Sequence, residues 1–261
     1  MTPVKYQNSG VFPSWLSSYY TGMQGMATLI KVGLENNLDG RSLAWVLDYP
    51  GCFAYGKDGS EALLNVPAAL LVYRDWLGRH TSDSWLKDLG DFDVRLVETW
   101  TVYWINQEYE VARDGFQVES FFHRDWKPLD VVEVRRAALL LKWEREDLLK
   151  LVQDLGDAKL DQAYPGERWS IRGILSHIGV AEWSYLQSLG LEGVPKARLP
   201  QDAFERLKVT RARTLEVLPD LAGLEKVCGR EGELWSPRKV LRRAIWHELD
   251  HIEHIRKLIQ L

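Results

Sequence analysis

The first part of the chain alternates apolar and polar positions in short runs that predict β-strands. Apolar-rich runs at 27–32 and 42–47 flank a cluster of Asn, Asp and Gly at 35–40. Two such runs around a turn-forming cluster favour a β-hairpin. After a Pro-Gly break, residues 52–55 resume the pattern as a third strand. Residues 1–25 precede this pattern and are interpreted as an N-terminal extension.

A helix and one more strand are expected next. Ser60 is the expected N-cap of a helix with apolar residues at helical spacing between Leu63 and Leu77. The run from Val94 to Ile105 begins with apolar–polar alternation and predicts a further strand. The order β-β-β-α-β predicts an α+β domain over residues 26–120, with the helix on one face of the sheet.

One segment of this domain carries a family resemblance. LAWVLDYPGCFAYGKDGSEALLNVPAALLVYRDWL combines a strand, a P-G-C turn, an aromatic strand end with Gly, and an E-A-L helix. In these features residues 26–105 resemble the HicB-like domain, which belongs to antitoxins that neutralise a small RNA-cutting toxin. Those antitoxins usually carry a separate DNA-binding segment, whereas no helix-turn-helix or ribbon-helix-helix pattern follows here. The resemblance implies a module for partner binding or dimerisation.

From Pro128 onward the apolar positions follow helical spacing. Helix-start signals at Ser170 and at Ser236-Pro237 support this interpretation. Four helices joined by turn-containing loops predict an all-α four-helix bundle over residues 131–261. A linker at 121–130, rich in aromatic residues, is expected to pack down. The predicted helices cover residues 131–155, 170–189, 202–218 and 236 to nearly the C-terminus.

Composition narrows the classes of function. The 261 residues are 46% hydrophobic and 27% charged, with a net charge of −4, which is typical of a globular protein. This acidic balance argues against nucleic-acid binding, and no apolar run approaches the roughly 18 residues of a membrane helix. The two cysteines, Cys52 and Cys228, do not form a disulfide framework. Without a secretory signal, a cytoplasmic location is expected.

The last predicted helix carries three histidines on one stripe. His247, His251 and His254 lie in WHELDHIEHIRKL. At about 100° per residue, His251 lies about 40° to one side of His247 and His254 about 20° to the other. A histidine pair at i, i+4 is able to hold one metal ion. His177 lies on the second predicted helix of the bundle, and it would complete a three-histidine site with open coordination positions.

Ordinary roles compete with each of these interpretations. A single helical histidine is usually a packed or surface residue, so only the combination favours a metal site. His254 is expected to act outside the metal's own ligands, and the nearby Asp250 and Glu253 are expected to orient rather than bind. A group of arginines is interpreted as a solvated, salt-bridged helix surface, with binding of an anionic thiol as the alternative. These are Arg135, Arg136, Arg172, Arg242 and Arg243.

Two segments carry a second resemblance. ERWSIRGILSHIGVAEWSYL and SPRKVLRRAIWHELDHIEHIRKL together resemble the DinB/YfiT-like superfamily of helical bundles, over residues 129–261. Its motifs are W-[ST]-x-R-x-x-L-x-H-[IL] and H-x-x-x-H. They are matched by Trp169, Ser170, Arg172, Leu175, His177 and Ile178, and by His247 and His251. The resemblance implies that His177, His247 and His251 bind a divalent metal, with zinc or nickel expected. Several members of the family are thiol transferases that use bacillithiol, mycothiol or glutathione.

Two functions remain open at this point. The first is a metal-dependent thiol transferase or hydrolase that acts on a small-molecule substrate, with a low-molecular-weight thiol as candidate co-substrate and no catalytic acid or base assigned. The second is a non-catalytic binding or regulatory protein whose HicB-like part binds a partner or forms a homodimer. A metal with four protein ligands would favour the second function. Nucleic-acid and membrane partners are not expected.

Overall fold

A computed structural model describes residues 27–87 and 89–261. The N-terminal α/β region contains β1 (Thr28–Leu38), β2 (Arg41–Val46), β3 (Phe53–Gly56), α1 (Gly59–His80), β4 (Phe92–Thr101), β5 (Tyr103–Ile105), β6 (Val111–Ala112) and β7 (Phe116–Val118). The helical C-terminal region contains α2 (Val131–Val152), α3 (Asp157–Leu160), α4 (Ile171–Gln187), α5 (Ala203–Val217), β8 (Cys228–Arg230), β9 (Glu233–Trp235) and α6 (Pro237–Ile259). The expected β-β-β-α-β order and the change to helices are therefore both present. No helix in the described ranges has the length and apolarity that crossing a membrane requires.

The main sheet has the strand order β3-β2-β1-β4. β1 pairs antiparallel with β2 and parallel with β4, and α1 forms the connection between β3 and β4. β1 continues through most of the segment expected to be a turn, and only Asp39 and Gly40 turn, with φ of 51° and 76°. Glu35 explains the difference, because its buried carboxylate accepts hydrogen bonds from Trp45 Nε1 at 2.8 Å and Ser120 N at 2.6 Å.

Two further local expectations need correction. The strand expected from Val94 to Ile105 is interrupted at Val102, and β5 pairs with β6 and β7 in a separate sheet. These strands are two or three residues long, too short to show an alternation in sequence. The N-cap of α1 is Asp58 rather than Ser60, since Asp58 Oδ1 accepts the backbone N–H of Glu61 at 2.9 Å.

The helical region is organised around α6. α2 and α4 both pack against α6, and α5 packs against α4. Ser170 and Ser236 are the N-caps of α4 and α6, as expected, and each side chain accepts a backbone N–H three residues later. The region has four long helices and the short α3, and the specific bundle arrangement stays a prediction.

The hydrophobic core runs across both regions. Its largest cluster joins Ile30 of the sheet and Leu70 of α1 with Leu140 of α2 and Ile245 of α6. A second cluster, which includes Ile174, lies within the helices. The limits predicted for the two domains therefore enclose regions that share one core. Phe121 and Phe122 of the expected linker are buried, so this segment packs down as predicted.

The helix with the histidines is held closely by the N-terminal region. Trp246 lies 5.3 Å from Trp45 and 6.4 Å from Phe53, measured between ring centroids. Gly51 has φ of 87°, and a Cβ added there would approach Ile245 to 2.8 Å. Glycine at this position therefore allows the β2–β3 turn to lie directly on α6. The α/β region thus fixes the position of the helix that presents His247 and His251.

Candidate metal centre

α4 and α6 bring the three expected histidines into one cluster. One ring nitrogen from each of His177, His247 and His251 lies within 4.8 Å of the other two. His247 Nε2 and His177 Nε2 are 3.0 Å apart, and the His247 and His251 ring centroids are 4.5 Å apart. Over the described ranges no cysteine or carboxylate joins this group. The candidate set is therefore three imidazoles.

Helix packing determines where these side chains lie. Leu175 and Ile178 on α4 and Ile252 on α6 are buried in the apolar cluster between the helices, which places the histidines at its edge. Gly179 permits the close approach of α5, since a Cβ there would lie 2.9 Å from Arg206 Cγ. The helical period then places His247 and His251 on the face that meets His177.

The environment keeps all three rings neutral. Burial lowers the pKa of His251 to about 3, with further lowering from His177 and His254. Burial also lowers the pKa of His247 well below its usual value, and the neighbouring His251 and His177 add to this effect. The pKa of His177 is lowered mainly by burial and then by Arg168. Neutral imidazoles retain the lone pair that a metal ion needs.

The cluster is compatible with a divalent metal ion. The buried Nδ1 atom of His251 has no hydrogen-bond partner among the described residues. A buried polar atom without a partner costs free energy, and therefore calls for an explanation such as a missing ligand. Three neutral imidazoles suit zinc and nickel, although this donor set does not choose between them.

Aromatic side chains surround the cluster. Trp169 stacks on His177 with ring centroids 4.4 Å apart, and the Arg168 guanidinium lies 4.6 Å from the Trp169 ring centre. Tyr185 meets His247 edge-on at 6.0 Å. Trp169 was singled out by the sequence motif, whereas Tyr185 was not. Tyr185 lies on α4 about two helical turns beyond His177, and this spacing is the signal that would have identified it.

His254 lies outside the candidate ligand set. Its Nε2 atom is 2.9 Å from Glu167 Oε2, and its ring centroid is 6.0 Å from that of His251. The expectation that His254 acts outside the metal's own ligands stays a prediction. Asp250 lies beside Tyr55 and Arg41, and burial raises its pKa. Glu253 pairs with Arg256, so the expectation that these two acids orient the histidines finds no support.

The arginines expected at a solvated surface divide into two groups. Arg135 and Arg136 are exposed, and Arg172 pairs with Asp157 and Asp161 at the surface. Arg242 and Arg243 are buried, so for them the expectation is wrong. Their partners are carboxylates of the segment that joins the two regions: Arg242 binds Asp125 at 2.7 Å, and Arg243 binds Glu119 at 2.6 Å.

A buried ion network lies beside the cluster and was not predicted. Arg145 donates to Glu248 at 2.7 Å and to Glu182 at 2.9 Å. Arg211 lies 2.6 Å from Glu182, 2.5 Å from Glu248 and 3.1 Å from Glu144. Burial, and then repulsion from Glu248, raises the pKa of Glu144 well above its usual value. Two guanidinium groups therefore face three buried carboxyl groups, and burial favours the protonated form of Glu144.

The two cysteines are free and take no part in the cluster. Cys52 is buried in the β2–β3 turn, and burial raises the pKa of its thiol. It therefore remains a protonated packing residue. Cys228 is partly exposed on β8.

Comparison with known proteins finds a family match within the helical region. Residues 140–255 match the family model of the DinB superfamily. The matched segment contains His177, His247 and His251, and it leaves the N-terminal α/β region outside. No curated protein matches the chain. The resemblance of residues 26–105 to the HicB-like domain therefore stays a prediction.

Proposed function

We propose that this protein is a metal-dependent enzyme whose DinB-like region binds zinc or nickel through His177, His247 and His251. One observation carries the proposal: three neutral imidazoles converge, and over the described ranges no fourth protein ligand joins them. Catalytic zinc sites commonly use three protein ligands and keep a position for water or substrate, whereas structural sites use four. The cluster has the composition of the first kind.

The proposed reaction is thiol transfer or hydrolysis on a small molecule. A divalent ion at this site would lower the pKa of a bound water or thiol and so supply a nucleophile at neutral pH. Trp169 orients His177 by stacking, and Tyr185 helps to enclose the deeper side of the cluster. Arg168 is exposed at the edge, where its charge would attract an anionic thiol or substrate.

A non-catalytic binding protein is the second candidate. The observation in its favour is the large shared core, because the α/β region supports α6 and would transmit partner binding to it. In this alternative the HicB-like part binds a partner or forms a homodimer, and any metal has a structural role. For either function we propose a cytoplasmic location, which the two free cysteines support.

Cobalt substitution distinguishes these functions. Metal-free protein would be loaded with Co²⁺ and titrated with glutathione or cysteine while the visible absorption spectrum is recorded. If the bound ion has open coordination positions, a thiol-dependent charge-transfer band is expected in the wild type and in the control variant His254→Asn. His177→Ala should lose this spectrum. A cobalt spectrum that does not respond to thiols or to azide would contradict the enzyme proposal and favour a structural metal.

A further inference from the structure

The outer face of α1 carries an apolar stripe that the described part of the chain leaves uncovered. Leu64 is 79% exposed, Val72 is 68% exposed and Leu71 is 42% exposed. Together with the exposed Pro67 and Ala68, they lie within about 140° of one another around the helix and form one continuous surface. Single exposed apolar residues are ordinary on a protein surface, whereas a continuous apolar patch marks a site of interaction.

A groove lies directly beside this stripe. It has a volume of about 280 Å³ and is lined by Val72, Tyr73 and Trp76 of α1 and by Leu249 and Ile252 of α6. Val72 belongs to both the stripe and the groove, so the two features form one apolar surface. A large side chain from a partner that lies on the stripe would reach into this groove.

Small residues allow another helix to approach the stripe closely. Ala68 lies near its centre, and Gly78 lies on the same side of α1, almost three turns further along. A Cβ added at Gly78 would meet no described atom within 4 Å, so the packing of the described chain does not require glycine there. Glycine within a helix is less stable than alanine. Close contact with a second helix would explain why this position carries glycine.

The charges of the stripe are arranged so that it complements itself. The N-terminal end has a net negative charge and the C-terminal end a net positive charge. The charged residues are Lys57, Asp58 and Glu61 at the first end, and Arg74, Asp75 and Arg79 at the second. Two copies of α1 packed antiparallel would place each negative end beside a positive end. Such self-complementarity is the property that a two-fold interface requires.

We propose that this stripe is the contact between two copies of the chain, with their α1 helices packed antiparallel across a two-fold axis near Ala68. Leu64 of one protomer then lies against Val72 of its partner and reaches the groove. Glu61 of one protomer lies near Arg79 of its partner. This surface makes specific the homodimer of the second candidate function, but it depends neither on the metal centre nor on the HicB-like resemblance.

The size of the contact sets its expected strength. A helix of 22 residues is about 33 Å long and about 10 Å wide, so the contact is smaller than a standard interface of about 800 Å² per partner. We therefore expect a reversible dimer with a dissociation constant in the micromolar range.

Sedimentation velocity of the full chain over a wide range of concentrations tests the dimer. The wild type should shift reversibly from monomer to dimer as the concentration rises. Leu64→Glu places a charge in the contact and should weaken the dimer at least about tenfold, since burying an unpaired charge is costly. Val111→Glu on β6 is the matched control, because Val111 is 78% exposed, and it should dimerise like the wild type. The variant His247→Ala/His251→Ala should also dimerise, which separates this surface from the metal centre.

Charge reversal tests the antiparallel arrangement. Glu61→Lys and Arg79→Glu should each weaken the dimer by about tenfold, because two symmetry-related pairs become like-charged. The two substitutions combined in one chain should restore dimerisation close to that of the wild type. Circular dichroism verifies that each variant is folded.

Four outcomes would overturn the proposal. A wild type that stays monomeric at the highest concentration would show that something other than a second copy covers the stripe. Equal dimerisation of Leu64→Glu and Val111→Glu would place the contact elsewhere. A combined charge reversal that dimerises no better than the single variants would contradict the antiparallel pairing. Loss of the dimer in the histidine variant would contradict its independence from the metal centre.

Discussion

The two polar clusters of the helical region lie side by side on α6, and they differ in how their groups are partnered. In the ion network, Arg145 and Arg211 each donate to at least two carboxylates at 2.5–3.1 Å. In the histidine cluster, one 3.0 Å contact joins His177 and His247, and a buried nitrogen of His251 has no partner. Glu144 Oε2 in the ion network also lacks a partner among the described residues, so the two clusters differ in how many of their groups are paired. A buried polar group that the protein pairs serves the fold, whereas an unpaired one calls for an explanation such as a ligand.

The largest effect is expected in the ion network. Arg211→Met would leave Glu182 and Glu248 buried with one guanidinium between them, and breaking a buried pair in this way costs about 3–5 kcal/mol of unfolding free energy. Urea denaturation of metal-free protein measures this loss. Lys208→Met on the exposed side of α5 is the matched control and should change stability by less than about 1 kcal/mol. Equal stabilities of the two variants would contradict the structural role of the network.

A substitution in the histidine cluster should lower the affinity for metal. His251→Asn removes one of three ligands and should weaken zinc or nickel binding by more than about 100-fold, since even changes outside the ligand set cost 10–100-fold. Competition with a chromophoric chelator measures the affinity. The metal-free variant should remain folded, with a smaller loss of stability than Arg211→Met. Unchanged metal affinity would show that His251 is not a ligand.

Low pH should destabilise the metal-free protein through the protonation of His251. The folded pKa of His251 is about 3, below its ordinary value of 6.5, so the unfolded chain takes up the proton first. The contribution of neutral His251 to the free energy of unfolding is therefore fully present above pH 6.5 and is lost as the pH falls towards 3. Urea midpoints measured across this window should fall less steeply in His251→Asn than in the wild type. Parallel curves would mean that His251 is not neutral in the folded protein.

The smallest effect is expected at His254. His254→Asn removes a partly exposed pair with Glu167, which contributes about 0–1 kcal/mol. Metal content and affinity should match the wild type. If this variant loses metal, His254 is a fourth ligand, and the cluster would then resemble a structural site.

Local patterns made much of this molecule predictable. Alternation identified the β-β-β-α-β order, and helical spacing with Ser170 and Ser236 as caps located α4 and α6. The i, i+4 spacing of His247 and His251 places them on one face of any helix, so helical geometry alone placed them together. Their contact with His177 depends on how the facing helix packs. The sequence motif on that helix was the signal for this contact.

Contacts between distant segments were not predictable in this way. Arg242 and its partner Asp125 are 117 positions apart, and Arg145 and Glu248 are 103 apart. Adjacent arginines on an amphipathic helix look like a solvated surface until the segment that covers them is known. Glu35 was assigned to a turn for the same reason, since its partners are a tryptophan on β2 and a backbone N–H after β7.

The metal content of the purified protein tests the three-histidine metal centre most directly. Protein prepared without chelators or a metal-binding tag would be analysed by elemental mass spectrometry beside His247→Ala/His251→Ala, with circular dichroism to verify folding. We expect about one zinc or nickel ion per chain in the wild type and in His254→Asn, and almost none in the folded double variant. Absence of metal after supplementation with zinc and nickel, or equal metal in the double variant, would contradict a three-histidine metal centre.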